Sequence, residues 1–413
     1  MRSQGRLIVF VGLAAWGLVP APVTAQEDRA RVEAEARGQA TEADRRFKEK
    51  DYAGALLLYQ AERASRATLG DLRYEAYAAR ASGCCLAELG QYDAAVEAWN
   101  AARGLDAKRE DPGFEGYDCL LIGNVEVGLG RLREAEHVLE QALPRLSQAG
   151  DREHEADARR LMGRVLTLTA RAPQADPHFE RAWELAASLN DAQRLGDVGA
   201  DWGLAALELG EPGRAAEYWD DARRAFEGLG LPGPVALMDR QLGDALLALG
   251  LPEAAAARVE QAAEAHERLD DPAKQADDLS FLAELKASER ALPQAIALAR
   301  RAVSAHRKAD DSEGEREALV LLAHYQSLAG DWKRSAATLA DAVKLVRRDG
   351  EPAEQVRLFI LAAGVERRAG DLDRERALLD EAERTAKEAK DDDLAASVAD
   401  ARRAGEVPAT PKR

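Results

Sequence analysis

The sequence has little of what most chemistry requires. Its 413 residues hold three cysteines and six histidines, and neither type is clustered. Three cysteines cannot build the even-numbered framework of a disulfide-stapled domain. The histidines lack metal-ligand spacing: His154-Glu155 begins an H-E-x-x-H pattern, but residue 158 is Ala. Positive charge is in deficit, 57 Lys+Arg against 74 Asp+Glu, for a net charge of −17. That excludes a nucleic-acid binder, which needs a basic footprint to displace counterions. No apolar run reaches the roughly 20 residues of a membrane-spanning helix. Aromatics make up only 5% of the chain. What is present is Ala, Leu, Arg and Glu, a helix-forming set, and an apolar content of 46% that rules out disorder for the bulk of the chain.

The first residues follow the order of a secretory signal. Arg2 and Arg6 precede an apolar run from Leu7 to Val19, Pro20 and Pro22 break it, and Val23-Thr24-Ala25 offers a small-x-small cleavage site before Gln26. Residues 1–25 are therefore expected to be a removed signal, with no stable membrane span afterwards and a mature chain in the periplasm or secreted. Cys84, Cys85 and Cys119 fall in two neighbouring predicted helices. One bridge from Cys119 and three free thiols both remain open.

The strongest signal is a repeat of forty residues. Ala55, Ala95, Ala135, Ala175, Ala215, Ala255, Ala295, Ser335 and Glu375 step along it as anchors. Seven residues on stand Glu62, Ala102, Ala142, Ala182, Ala222, Ala262, Ala302, Ala342 and Ala382. Twelve before stand Ala43, Gly83, Gly123, Gly163, Gly203, Gly243, Ala283, Ala323 and Ala363. Four after stand Tyr59, Trp99, Leu139, Phe179, Trp219, Val259, Ala299, Leu339 and Leu379. Small residues where helices cross permit close approach. The position four after the anchor shares its helix face and points a larger side chain into the same seam, so Trp99, Phe179 and Trp219 read as core and not as a ligand box.

Punctuation divides each unit into two helices. Gly90, Gly130, Gly210 and Gly250, five before the anchor, suit a left-handed helix end. Pairs such as Gly70-Asp71, Gly150-Asp151 and Asn190-Asp191 can end one helix and cap the next. Ordering forty residues costs roughly 60 kcal/mol, more than two helices alone can offset, so stability is shared between stacked neighbours. Ala170 with Pro173, and Arg290 with Pro293, depart from the corner pattern and mark expected weak links. The expected architecture is all-α: a right-handed α-solenoid of about nine helix-turn-helix repeats over residues 26–390, then a capping helix and flexible tail over 391–413.

Two repeats carry a family resemblance. Gly83, Gly90, Tyr92, Ala95, Trp99 and Ala102, and again Gly203, Gly210, Ala215, Trp219 and Ala222, resemble the tetratricopeptide repeat in a longer-helix form. The resemblance covers nearly the whole mature chain and is specific for fold rather than function. It implies that the first helices of successive repeats line a concave surface. The corresponding positions are Tyr77, Arg80 and Cys84; Tyr117, Leu120 and Asn124; Asp157, Arg160 and Arg164; Asp197, Ala200 and Leu204; Leu237, Arg240 and Asp244; Asp277, Ser280 and Glu284; and Glu317, Val320 and His324. Tyr77, Arg80, Tyr117, Asn124, Arg160, Arg164, Arg240 and Asp244 are the expected partner contacts. Arg forks suit carboxylates and Tyr supplies rigid contact area. The expectation is an acidic or carboxylate-ended peptide or protein segment held by an exported interaction scaffold. Against it stands pairing of these arginines within the solenoid, with Asp157 or Glu155.

No cofactor, metal or catalytic set is expected. Gly228-Leu-Gly230-Leu-Pro-Gly233 matches G-x-G-x-x-G, but a helix precedes it, and Pro232 and Pro234 remove backbone donors. The alternative class is a small-ligand or glycan-binding accessory module of an envelope enzyme assembly, which would show one enclosed pocket in place of a long groove.

Overall fold

The computed structural model describes residues 25–406. The expected signal lies outside the described residues except for Ala25, which opens the first helix, and the expected tail lies outside them from residue 407. Among the described residues the chain forms nineteen helices and no strand. It divides into two compact units, residues 1–151 and 152–413.

The first unit holds three helix pairs: α1 (Ala25–Lys48) with α2 (Tyr52–Leu69), α3 (Leu72–Glu88) with α4 (Tyr92–Lys108), and α5 (Pro112–Gly128) with α6 (Leu132–Ala149). The second unit holds six pairs and a last helix. The pairs are α7 (Arg152–Leu168) with α8 (Ala172–Leu189), α9 (Ala192–Glu208) with α10 (Pro212–Gly228), and α11 (Pro232–Ala248) with α12 (Pro252–Arg268). Then come α13 (Pro272–Ser288) with α14 (Leu292–Lys308), α15 (Ser312–Leu328) with α16 (Trp332–Asp349), α17 (Pro352–Ala369) with α18 (Leu372–Ala389), and α19 (Asp392–Glu406). The expected nine pairs and terminal helix are all present. In α19, Val398 is buried and Arg402 donates to Asp380 at 2.5 Å and Glu383 at 3.1 Å.

The chain turns on a twenty-residue beat. Residues 50 to 330 in steps of twenty, then 370 and 390, all have left-handed backbone torsions. At each corner two N–H groups reach back into the finished helix, as where Gly90 donates to Ala87 at 3.0 Å and Gln91 to Leu86 at 2.8 Å. Asp71, Asp191, Asp271 and Asp311 then cap the next helix by accepting from the backbone N–H three residues on, at 3.0–3.4 Å. The G-x-G-x-x-G stretch is one of these corners: α10 ends at Gly228, Gly230 turns, and Pro232 opens α11.

Ala170 (φ 57°) and Arg290 (φ 61°) adopt the same left-handed corner without being glycine. A side chain there is strained by about 1–2 kcal/mol, and glycine returns part of that gain as unfolded-chain entropy. Ala170→Gly and Arg290→Gly are each expected to stabilise the second unit by about 0.5–1 kcal/mol, read as a rise in denaturation midpoint. A fall would show that the corners are not strained. Position 350 breaks the beat. Gly350 is extended (φ −86°, ψ 148°), and so is the helix-capping Glu351 (φ −66°, ψ 150°).

Between the helices of each pair the columns lock together. The anchor alanines and the column seven residues on are fully buried, and the larger side chains four residues after the anchor are buried as well. A Cβ on Gly83 would strike Trp99, and one on Gly123, Gly163, Gly203 or Gly243 would strike Leu139, Phe179, Trp219 or Val259. Both tryptophans use the close approach in the same way. The indole N–H of Trp99 donates to the Arg80 carbonyl at 3.1 Å, and that of Trp219 to the Ala200 carbonyl at 3.0 Å. Glu62 is the one charged member of the column seven after the anchor, and burial pushes its carboxyl up to about 7 against the pull of Arg66.

All three cysteines are free. Cys85 and Cys119 are buried and Cys84 half-buried, so they act as small core residues, and burial pushes the Cys85 thiol up to about 12.

Candidate functional site

The eight residues expected at a partner surface divide between the units: Tyr77, Arg80, Tyr117 and Asn124 in the first, Arg160, Arg164, Arg240 and Asp244 in the second. All lie on first helices of their pairs. In the first unit, Asn124 is exposed and Tyr117 half-buried. Tyr77 is exposed on one edge, but its hydroxyl donates to Asp44 at 2.9 Å, beside Tyr59, whose hydroxyl reaches the same oxygen at 2.6 Å.

Arg80 requires a correction, because it is not presented to a partner. It is 7% exposed and lies between two fully buried carboxylates. Its Nε donates to Asp118 at 2.5 Å, its Nη2 bonds Asp106, and its guanidinium lies 4.6 Å from the Phe114 ring and 5.9 Å from that of Tyr117. Burial pushes Asp118 up to about 6 and Asp106 in the same direction, while Arg80 opposes both. The guanidinium is spent inside the fold.

The second unit repeats this arrangement four repeats later. Arg240 stands 3.6 Å from Asp278, which lies 2.7 Å from Nδ1 of His266. His266 occupies the column position of Asp106, and Asp278 that of Asp118. Here the arginine is less enclosed. It donates to Asp244 at 2.6 Å and packs 4.2 Å from the Phe281 ring. Arg160 and Arg164 do share a face, and both turn to Asp201 of the next repeat, at 2.6 Å and 3.9 Å. Pairing within the solenoid therefore occurs, though with Asp201 in place of the expected Asp157 or Glu155. Asp157 pairs instead with Arg194 at 3.1 Å.

Two cavities open along the first helices of the second unit. One, of about 670 Å³, lies between α15 and α17 over α16. Val320 and Leu321 of α15, Trp332 and Leu339 of α16, and Leu358, Leu361 and Val365 of α17 make its walls. His324, Ser327 and Ser335 are among its polar points, Arg316 and Glu354 pair at its rim, and Glu317 and Arg357 also line it. The other, of about 530 Å³, lies between α13 and α15 and reaches Arg240. Asp277, Glu284, Asp311, Glu313 and Glu317 bring carboxylates to it. The two cavities share Glu317 and Leu321.

The first-helix count anticipates part of this lining, since Asp277, Ser280, Glu284, Glu317, Val320 and His324 all fall on it. It misses Trp332, Leu339 and Leu361, which depend on how α16 and α17 sit. Among the described residues no group of three or more His, Cys, Asp or Glu is placed to hold a metal ion, and no helix is long and apolar enough to cross a membrane.

No family description matches the chain, and no curated relative does. Solved structures do match. One is a signal-transduction ATPase with a tetratricopeptide repeat sensor from Pyrococcus horikoshii, at 13% identity and TM-score 0.60, covering 84% of this chain and 54% of that one. The chain thus spans about half the length of that protein. Another is the apo form of RapI, at 14% identity and TM-score 0.60, covering 90% and 99%. A third is aspartyl phosphate phosphatase F from Bacillus subtilis, at 13% identity and TM-score 0.50, covering 85% and 93%. At such identities the likeness is one of fold. Nine helix pairs on a forty-residue repeat, with interlocked small and large columns and a terminal helix, give this chain the fold of a tetratricopeptide-repeat-like α-solenoid.

Proposed function

We propose that the chain is an exported protein-interaction scaffold that holds a peptide or protein segment on the first-helix face of its second unit, the face that is concave in the repeat family it resembles. One observation carries the reading: two cavities that share lining residues run across α11, α13, α15 and α17, an extended site with room for several residues of a chain. The repeat part of the Pyrococcus protein bears the name of a sensor, which accords with a recognition role. The basic, apolar, small order of residues 1–25 supports export.

The finer expectation of an acidic or carboxylate-ended partner rests chiefly on Arg164, whose side chain is 46% exposed. Arg160 and Arg240 would have to exchange carboxylates they already hold. The second reading, a small-ligand module, is favoured by the α15–α17 cavity alone, which has the size and apolar walls of an ordinary ligand pocket.

Random-peptide display against the full chain tests the proposal, with Leu361→Glu as the counter-selected variant. Leu361 is 45% exposed, so the change burdens the cavity more than the fold. Peptides enriched by the wild type and lost on the variant are the expected result. Peptides retained equally by both would move the site elsewhere. Residues 1–25 fused to a reporter that needs disulfides to fold are expected to give activity outside the cytoplasm; an inactive fusion would remove the export reading.

A further inference from the structure

The two cavities differ in character, and the difference bears on what they hold. The α15–α17 cavity is walled chiefly by apolar side chains; at its rim Arg316 pairs with Glu354, and the exposed Arg357 is its one further cation. The adjoining α13–α15 cavity is unbalanced. Asp311 is occupied, capping α15 and lying 2.9 Å from His306. Asp277, Glu284, Glu313 and Glu317 hold no ion pair among the described residues, and all four are exposed. Arg240, the one Lys or Arg side chain lining that cavity, is engaged by Asp244 and Asp278. An apolar cavity thus adjoins a field of uncompensated negative charge, on a chain whose net charge is already −17.

We infer that this site takes a basic peptide segment with a bulky apolar anchor: the anchor enters the α15–α17 cavity, and lysines or arginines lie over Asp277, Glu284, Glu313 and Glu317. The inference rests on the peptide-binding reading above and names its partner class. An apolar side chain entering a cavity of this kind supplies the affinity, and opposite charge beside it supplies approach rate and selectivity. An acidic segment would meet like charge and be repelled. Neighbouring helices stand about 8–10 Å apart and extended chain advances about 3.3 Å per residue, so the basic residues belong roughly three positions from the anchor.

The test uses the full chain and three fluorescein-labelled Gly/Ser dodecapeptides in fluorescence anisotropy. The first carries one Phe with lysine pairs roughly three residues to either side. The second has glutamates for the lysines, and the third has Ala for Phe. The first is expected to bind at least about tenfold more tightly than either other, and to weaken as salt rises from about 50 to about 300 mM. Leu361→Glu, and separately Glu284→Lys with Glu317→Lys, should each abolish the preference while circular dichroism shows an unchanged helix content. Equal or tighter binding of the glutamate peptide overturns the inference and leaves peptide binding standing. Equal binding of the alanine peptide removes the anchor and overturns it as well. Binding of none of the three, while display-selected peptides still bind and are lost on Leu361→Glu, overturns the inference alone. Binding of none, with decanoate alone displacing an apolar dye from the cavity, overturns both readings in favour of a small ligand.

Discussion

Replacing Trp219 by alanine is expected to cost about 3–5 kcal/mol and replacing Gly203 by alanine about 1–3 kcal/mol, while the two together cost at least about 1 kcal/mol less than the sum. Trp219 is 1% exposed, and its indole N–H is held by the Ala200 carbonyl, so truncation opens a large cavity and removes that hydrogen bond. Gly203 lets the ring lie against the α9 backbone, and any Cβ there would overlap the indole ring. With the ring absent, the same Cβ occupies part of the space it vacated. The double-mutant cycle measures that reciprocity directly. Because stacked repeats need not unfold as one, it is read by hydrogen exchange in α9 and α10 beside the denaturation midpoint. Strict additivity would show that the glycine and the large residue do not share one space. Gly83 with Trp99 predicts the same behaviour in the first unit.

Arg80→Met is expected to destabilise the first unit by about 3–5 kcal/mol at pH 8, since it leaves Asp118 buried without its paired cation and Asp106 with Arg109 alone. The pH dependence has a definite sign. Burial raises Asp118 from the ordinary 3.8 to about 6, so across that window the folded form keeps a proton that the unfolded chain has lost. Its contribution to stability is therefore fully present below the ordinary value and is lost as pH rises through the raised one. Removing Arg80 raises both carboxyls further. The deficit of the variant is then expected to shrink at pH 4.5, where both can be protonated, and to grow toward pH 8. Urea denaturation at the two pH values measures this. A variant as stable as wild type at pH 8 would show that the buried carboxylates do not depend on Arg80.

Much of this was legible in one sequence. Nine anchors forty residues apart, with the columns at seven after and twelve before, locate every helix pair, because a repeated unit must present the same small surface at each crossing. The corners were legible wherever glycine or asparagine stood at a helix end. Ala170 and Arg290 show why the pattern survives their substitution: their neighbours hold the left-handed turn at a modest cost. The arginine assignments fared differently. Arg80, Arg160 and Arg240 do stand on first helices, but the carboxylates of the next repeat that meet them were not read. Asp118, Asp201 and Asp278 lie about forty residues away, on the next first helix. The recurrence of Arg80 with Asp118 at the column positions of Arg240 with Asp278 was the available signal.

The sequence by itself determined the period, the number of helices, the buried columns and the strongly negative charge, since each depends on residues adjacent along the chain or within one repeat. Only the tertiary structure decided which first-helix residues remain available. A guanidinium is either a partner contact or a core ion pair according to what the neighbouring repeat places within about 3 Å of it. The cavity between α15 and α17 belongs to the same class of fact. Gly350 stands where a corner glycine belongs, and its composition is ordinary. Its extended backbone is visible only in the structure, as is the apolar cavity that α15, α16 and α17 enclose.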